Sequence, residues 1–165
     1  MTAAFEPATA ARIPGEFTTR LARRDDLTAI LSVENASQPS PWTERVFARE
    51  FDIDYSRCWV VEDGEHAIVA FLVFWIVHDE IHVLNVAVHP DARRRGIARA
   101  LLDDLIEQAE AAHMTLISLE VRDSNVAAQR LYSGFGFEKI GHRPRYYADN
   151  QEDARVLALL LSESG

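Results

Sequence analysis

Residues 80–105, EIHVLNVAVHPDARRRGIARALLDDL, leave this chain little freedom in what it can become. The run 81–88 is almost continuously apolar, which is how a strand buried on both faces reads. Pro90 lacks a backbone donor, so a laddered strand has to end at His89. A basic turn follows, Arg93-Arg94-Arg95-Gly96, and then a helix with Ile97, Leu101, Leu102, Leu105 and Ala109 on one side. A strand that passes through a glycine turn into a helix aims unpaired N–H groups at an anion. Gly96 lets such a ligand approach without a Cβ in the way, and the helix dipole and the arginines favour negative charge there. The turn predicts a cradle of the diphosphate-binding kind. The plainer reading is a solvated basic helix start.

The chain has 165 residues, 48% of them hydrophobic and 26% charged, which suits one domain with a substantial core. Its formal net charge is −9, from 26 acidic and 17 basic residues. That argues against a nucleic-acid partner and suits a basic peptide or a cationic amine. The single cysteine, Cys58, excludes a disulfide framework and a Cys-based metal site, and beside Trp59 and Val60 it reads as a buried thiol. The six histidines follow no metal-ligand spacing, so no metal is expected. His82 and His89, at either end of the central strand, read as structural, with proton shuttling as the alternative. The longest apolar run, 67–77, is too short to cross a bilayer, and the N-terminus lacks a secretory pattern. A reducing cytoplasm is the expected compartment.

Residues 1–16 are rich in Ala, Thr and Pro without periodicity and predict a disordered extension, followed by one domain over 17–165. A first strand over 17–23 precedes a helix that Asp25 or Asp26 can cap. Pro39 and Pro41 break that helix, Trp42 follows, and Thr43 starts a second, short one. Two strands, 57–62 and 66–77, flank the hairpin signal Asp63-Gly64. After the central strand and its helix come a strand over 115–121, a helix capped from Asp123-Ser124-Asn125, and strands over 137–142 and 154–161. The order β-α-α-β-β-β-α-β-α-β-β predicts an α/β sheet with helices on its faces.

A second motif is more specific than the glycine turn. Leu119-Glu120-Val121-Arg122-Asp123-Ser124-Asn125, with Ala128, Leu131-Tyr132 and Gly136-Phe137 behind it, resembles the LEVR-x-SN…A…LY…GF signature of the N-terminal protein acetyltransferases of the GNAT superfamily. Arg93 to Ala98 fits that superfamily's Gln/Arg-x-x-Gly-x-Gly/Ala turn. Pro41-Trp42-Thr43 and Arg145-Tyr146-Tyr147 with Glu152-Asp153-Ala154 agree with its bacterial branch that acetylates the N-terminal alanine of a ribosomal protein. The element order is the GNAT order too, so the resemblance covers 17–161. It implies a GNAT-like mixed central sheet in which two parallel strands splay to form an acetyl-CoA cleft, with acetyl-CoA as co-substrate, and a protein N-terminus as acceptor.

The resemblance also assigns roles. Glu120 would be the base; by alternation alone, with Leu116 and Ser118 on its face, it reads equally as a strand-end glutamate facing water. Tyr132 would protonate the leaving thiolate; its bland reading is a core aromatic. Arg93, Arg94, Arg95, Gly96, Ile97 and Ala98 would hold the diphosphate, Asn125 the pantetheine arm, and the backbone of Val86 and Val88 the acetyl end. Asn125 also reads as a helix start. Asn85, polar within an apolar run, marks either the strand bulge or a satisfied core amide. Trp42, Tyr146 and Tyr147 would line the peptide entrance, or else cover the sheet edge. Pro144 departs from the branch and bears on peptide preference. Acetylation of a lysine or a small amine, and a non-catalytic acyl-CoA-binding module, are the competing readings.

Overall fold

In the computed structural model, residues 5–8 and 15–161 are described. One seven-stranded sheet runs through them in the order β1-β2-β3-β4-β5-β7-β6. Its strands are β1 (Thr18–Leu21), β2 (Ser56–Glu62), β3 (Ile68–Val77), β4 (Glu80–Val88), β5 (Leu116–Arg122), β6 (Glu138–Arg143) and β7 (Ala154–Leu160). All neighbours are antiparallel except β4 and β5. The helices are α1 (Leu27–Ser37), α2 (Glu44–Glu50), α3 (Ile97–Ala111) and α4 (Val126–Gly134).

Strand alternation divides the core between the two faces. Ile30 and Val33 of α1 and Phe47 of α2 pack against Val60, Phe71, Val73 and Ala87 on one face. On the other, Leu101, Leu102 and Leu105 of α3 and Tyr132 of α4 pack against Trp59, Leu72, Phe74, Ile117 and Leu119. The expected caps of α2 and α4 are present: Thr43 Oγ1 accepts from Val46 N at 3.3 Å, and Asn125 Oδ1 accepts from Ala128 N at 3.1 Å. Asp26 differs. It stands before α1, but its carboxylate accepts Arg23 N at 2.7 Å and a two-pronged pair from Arg20 at 2.7 and 2.9 Å, tying β1 to the start of α1.

The feature that positions the site is a parting of strands. β4 pairs with β5 only from Glu80↔Leu116 to Val83↔Leu119. β5 stays paired to β7 as far as Arg122↔Ala154, whereas β4 stays with β3 as far as Ala70↔Val88. Between Val83 and Asn85 the β3–β4 register slips by one residue, so the bulge residue is Leu84, the neighbour of the expected Asn85.

Of the segment expected to be disordered, residues 5–8 pack onto the domain. Phe5 is 3% exposed, meets Phe74 edge-on, and offers its carbonyl to Trp59 Nε1 at 2.8 Å. Asp104 accepts Ala8 N at 2.7 Å, and Gln108 Nε2 donates to the Glu6 carbonyl at 2.7 Å. One aromatic in an aperiodic stretch supplied enough apolar surface to fix four residues, a signal that composition averages away. Residues 1–4 and 9–14 lie outside the described residues. No described helix is long and apolar enough to cross a membrane.

Candidate active site

The gap between β4 and β5 is a cleft of about 520 Å³. Its walls are β4 from Val83 to Val86 and β5 from Leu119 to Arg122; Glu34, Gln38 and Trp42 close one side, Ala128 and Tyr132 another, and Tyr147 and Asp149 the mouth. Of the residues expected at a site, Trp42, Val86, Glu120, Asn125, Tyr132 and Tyr147 meet here. Val88, the turn from Arg93 to Ala98, and Tyr146 are not among the lining residues.

Backbone hydrogen bonding determines which N–H groups the parted strand offers. His89 N donates to Val69 O at 2.8 Å, so alternation makes Ala87↔Phe71 a hydrogen-bonded pair and Val86↔Leu72 and Val88↔Ala70 the intervening ones. The peptide groups of Val86 and Val88 therefore point away from β3, to the side that β5 has vacated. Arg93 Nε donates to Val88 O at 3.4 Å, which agrees with that direction. Val86 thus presents a backbone donor to the cleft.

Glu120 sits among polar partners. Its Oε2 lies 2.7 Å from His82 Nε2, and Arg143 Nη1 is 3.8 Å from Oε1. Burial pushes the carboxyl up, but the His82 hydrogen bond and charge, with Arg143, outweigh it and hold Glu120 below its ordinary range. An ionised carboxylate only accepts, so His82 carries its proton on Nε2. His82 also meets Trp75 edge-on. Tyr132 is 5% exposed against Phe137, and burial, with a smaller push from Tyr147, raises its phenol well above the ordinary value. It remains a protonated donor throughout any working pH range.

Past the end of β4, Gly96 adopts φ +76° and stands at the start of α3. A Cβ there would meet nothing within 4 Å, so the turn opens onto free space. No described residue accepts a hydrogen bond from the N–H groups of residues 94–99. Arg93, Arg94 and Arg95 are exposed around them, with Arg95 over the Phe17 ring at 6.0 Å. Open donors at a helix start, ringed by cations, fit a diphosphate. Asn125 spends Oδ1 on its cap, and its amide N–H has no partner among the described residues.

At the mouth, Tyr147 lies under Arg122, whose guanidinium is 3.9 Å from the ring centroid. Arg122 also bonds Asp149 at 3.0 Å and Glu152 at 3.5 Å, and Glu152 accepts Ser124 N at 2.7 Å. Burial, opposed by Arg122, pushes the Tyr147 phenol up to about 12. Tyr146 is 44% exposed, edge-on to Tyr147 and beside Arg143. Among the described residues no group of three or more His, Cys, Asp or Glu could hold a metal ion.

The profile of the Acetyltransferase (GNAT) family matches residues 27–137. The chain belongs to the GNAT acetyltransferases. It is 38% identical over 139 residues to the ribosomal protein bS18-alanine N-acetyltransferase of Escherichia coli, spanning 83% of this chain and 93% of that one. The enzyme of the same name from Salmonella typhimurium is 37% identical over 139 residues, with the same coverage. The crystal structure of the Escherichia coli ribosomal-protein-S18-alanine N-acetyltransferase superposes with a TM-score of 0.83 at 34% identity, covering 90% of this chain and 96% of that one.

In this GNAT acetyltransferase, two residues at the site are ones that local pattern does not place there: Glu34 lines the cleft, and His82 is hydrogen-bonded to Glu120. From sequence His82 reads as structural or as a proton shuttle, and only the parallel register, His82 opposite Ser118, brings it beside Glu120. Glu34 falls at helical spacing with Leu27, Ile30 and Leu31 in α1. The available signal was a glutamate next to Val33 on the buried stripe of α1, where a carboxylate is costly.

Proposed function

We propose that this chain transfers the acetyl group of acetyl-CoA to the α-amine of a protein N-terminus, with a ribosomal protein that begins with alanine as its target. The observation that carries the reading is the cleft itself. A carboxylate, a free backbone donor and a buried phenol converge where the parallel strands part, in a chain 38% identical to an enzyme named for that reaction.

Acetyl-CoA supplies the activated acyl carbon and a thiolate leaving group. The turn from Arg93 to Ala98 holds its diphosphate through backbone N–H groups and arginine charge, and the Asn125 amide meets the pantetheine arm. Val86 N–H, with Val88 beyond it, faces the carbonyl oxygen that gathers negative charge. Trp42 and Tyr147 flank the incoming chain end, with Tyr146 on the outer rim. Holding amine and thioester in line contributes about 7–11 kcal/mol. Glu120, ionised and oriented by His82, accepts the amine proton directly or through water. Tyr132, kept protonated by burial, donates to the departing sulfur.

A weak carboxylate base suits an α-amine better than a lysine. The first has an ordinary pKa of about 7.7–8.0 and the second about 10.4, so only the first is appreciably free near neutrality. The net charge of −9 also attracts a basic chain end. The test is one lysine-containing peptide starting Ala-Arg, offered with a free and with a blocked N-terminus and read by mass. The free form is expected to react far faster, with kcat/KM falling as salt rises. Equal rates would replace this reading by lysine or small-amine acetylation.

A further inference from the structure

Glu34 is 1% exposed, on the face of α1 that meets the sheet. A single oxygen, Oε2, accepts both Trp42 N–H at 2.9 Å and Asn85 Nδ2 at 3.0 Å. Gln38 Nε2 in turn donates to Asn85 Oδ1 at 3.2 Å. The other oxygen, Oε1, is buried without a hydrogen-bond partner among the described residues. A buried, half-satisfied carboxylate is costly, and such a group in a native protein asks for a reason.

We propose that Glu34 is a positioning residue for acetyl transfer: its ionised carboxylate clamps the Trp42 side of the cleft to the β4 bulge at Asn85, and the clamp releases when Glu34 takes up a proton.

The two donors that Glu34 joins belong to the two halves of the reaction. Trp42 stands on the acceptor side, and Asn85 lies between the bulge residue Leu84 and Val86, the backbone donor for the acetyl oxygen. An ionised acceptor makes bonds roughly twice as strong as a neutral one, so protonation weakens both ties at once. Burial pushes the Glu34 carboxyl above its ordinary range, and the Trp42 and Asn85 bonds only partly oppose it. No cation pairs with it among the described residues. β3 carries no ionisable side chain over Ile68–Val77, and β4 carries only Glu80 and His82, of which His82 is held by Glu120. On α2, Glu50 is bonded to Trp75 and Ser56, while Glu44, Arg45 and Arg49 are exposed. Across the cleft stand Glu120, Arg122, Tyr132, Tyr147 and Asp149, and of these Arg122 is engaged by Asp149. The carboxyls of the cleft are thus displaced in opposite directions, Glu120 and Asp149 downward and Glu34 upward. A neutral amide would fill the same space more cheaply, and this is the exchange that separates clamp from scaffold.

The proposal rests on the acetyl-transfer reading, and its test compares Glu34→Gln with wild type on whichever amine the wild type acetylates. A wild type that prefers lysine or a small amine overturns the α-amine assignment while leaving this comparison intact. At neutral pH, Glu34→Gln is expected to lower kcat/KM for the acceptor about ten-fold, the worth of roughly one charge-assisted hydrogen bond. The KM for acetyl-CoA stays as it was, and the melting temperature holds or rises. The acid limb of the pH–rate profile that Glu34 sets above the ordinary carboxylate range disappears, leaving the lower one. Wild-type kcat/KM with an unchanged acid limb would overturn the clamp. A loss of activity that merely tracks a loss of melting temperature would overturn it too, since that is what a structural residue does.

Discussion

In the proposed reaction Glu120 and Tyr132 divide the proton traffic, and their surroundings push them apart. His82 and Arg143 keep Glu120 ionised against burial, while burial keeps Tyr132 protonated. For Glu120 the sign is that of a depressed carboxylate: the His82 contact favours the folded state above the unfolded value of about 4.3 and is lost as pH falls through the lower folded value. Activity that depends on its charge therefore fails only in acid. Glu120→Gln is expected to lower kcat by about 10²–10⁴-fold, most severely at low pH, where the acceptor amine is protonated and needs the base. Tyr132→Phe should lower kcat with little change in the KM for acetyl-CoA, since only a proton donor is lost. Steady-state kinetics across pH check both. Wild-type kcat in either variant at every pH would remove that residue from the chemistry.

At the scale of elements, the site depends on β4 having two partners along its length. Up to Val83 it is the middle of a ladder; past Leu84 it belongs to β3 alone, and its second row of peptide groups faces ligand space. The β4–α3 turn extends that row into a left-handed glycine and unpaired helix-start donors. Gly96→Val tests this element cleanly, because a Cβ there would touch no protein atom. The strain of a β-branched residue at φ +76° costs stability on the order of 1–2 kcal/mol, which a domain of this size tolerates. The side chain would instead enter the open space proposed for the diphosphate. A folded Gly96→Val protein should show strongly weakened acetyl-CoA binding by calorimetry, and unchanged binding would take the turn out of the site.

At the scale of the molecule, the sheet is closed on its α3 face by an element that follows no pattern. Phe5 fills a place between Trp59, Phe74 and α3, and Asp104 and Gln108 hold the backbone that carries it. Phe5→Ala is expected to cost about 3–5 kcal/mol, the usual loss for a buried phenylalanine. Denaturant titration would show this as a lower midpoint, with the KM for acetyl-CoA preserved because the segment lies away from the cleft. A midpoint equal to wild type would mean that the segment adds nothing to the fold.

What the sequence determined by itself was everything written in local periodicity and local motifs. Alternation separated Glu120 from Ile117, Leu119 and Val121; Thr43 and Asn125 announced their helices; the glycine turn and the LEVRDSN segment named the chemistry. Only the tertiary structure decided what depends on register and on burial across distant segments. The parallel pairing of β4 with β5 put His82 on Glu120, residues 38 positions apart. The slip between Val83 and Asn85 moved the bulge to Leu84 and turned Val86 toward the cleft. Packing made Glu34 a buried clamp and Phe5 part of the core, and left Tyr146 outside the cleft that Tyr147 entered. The physical reason is one of range. A helix or strand period is set by neighbours a few residues away, whereas the field and the space at a side chain are set by whatever the fold brings beside it.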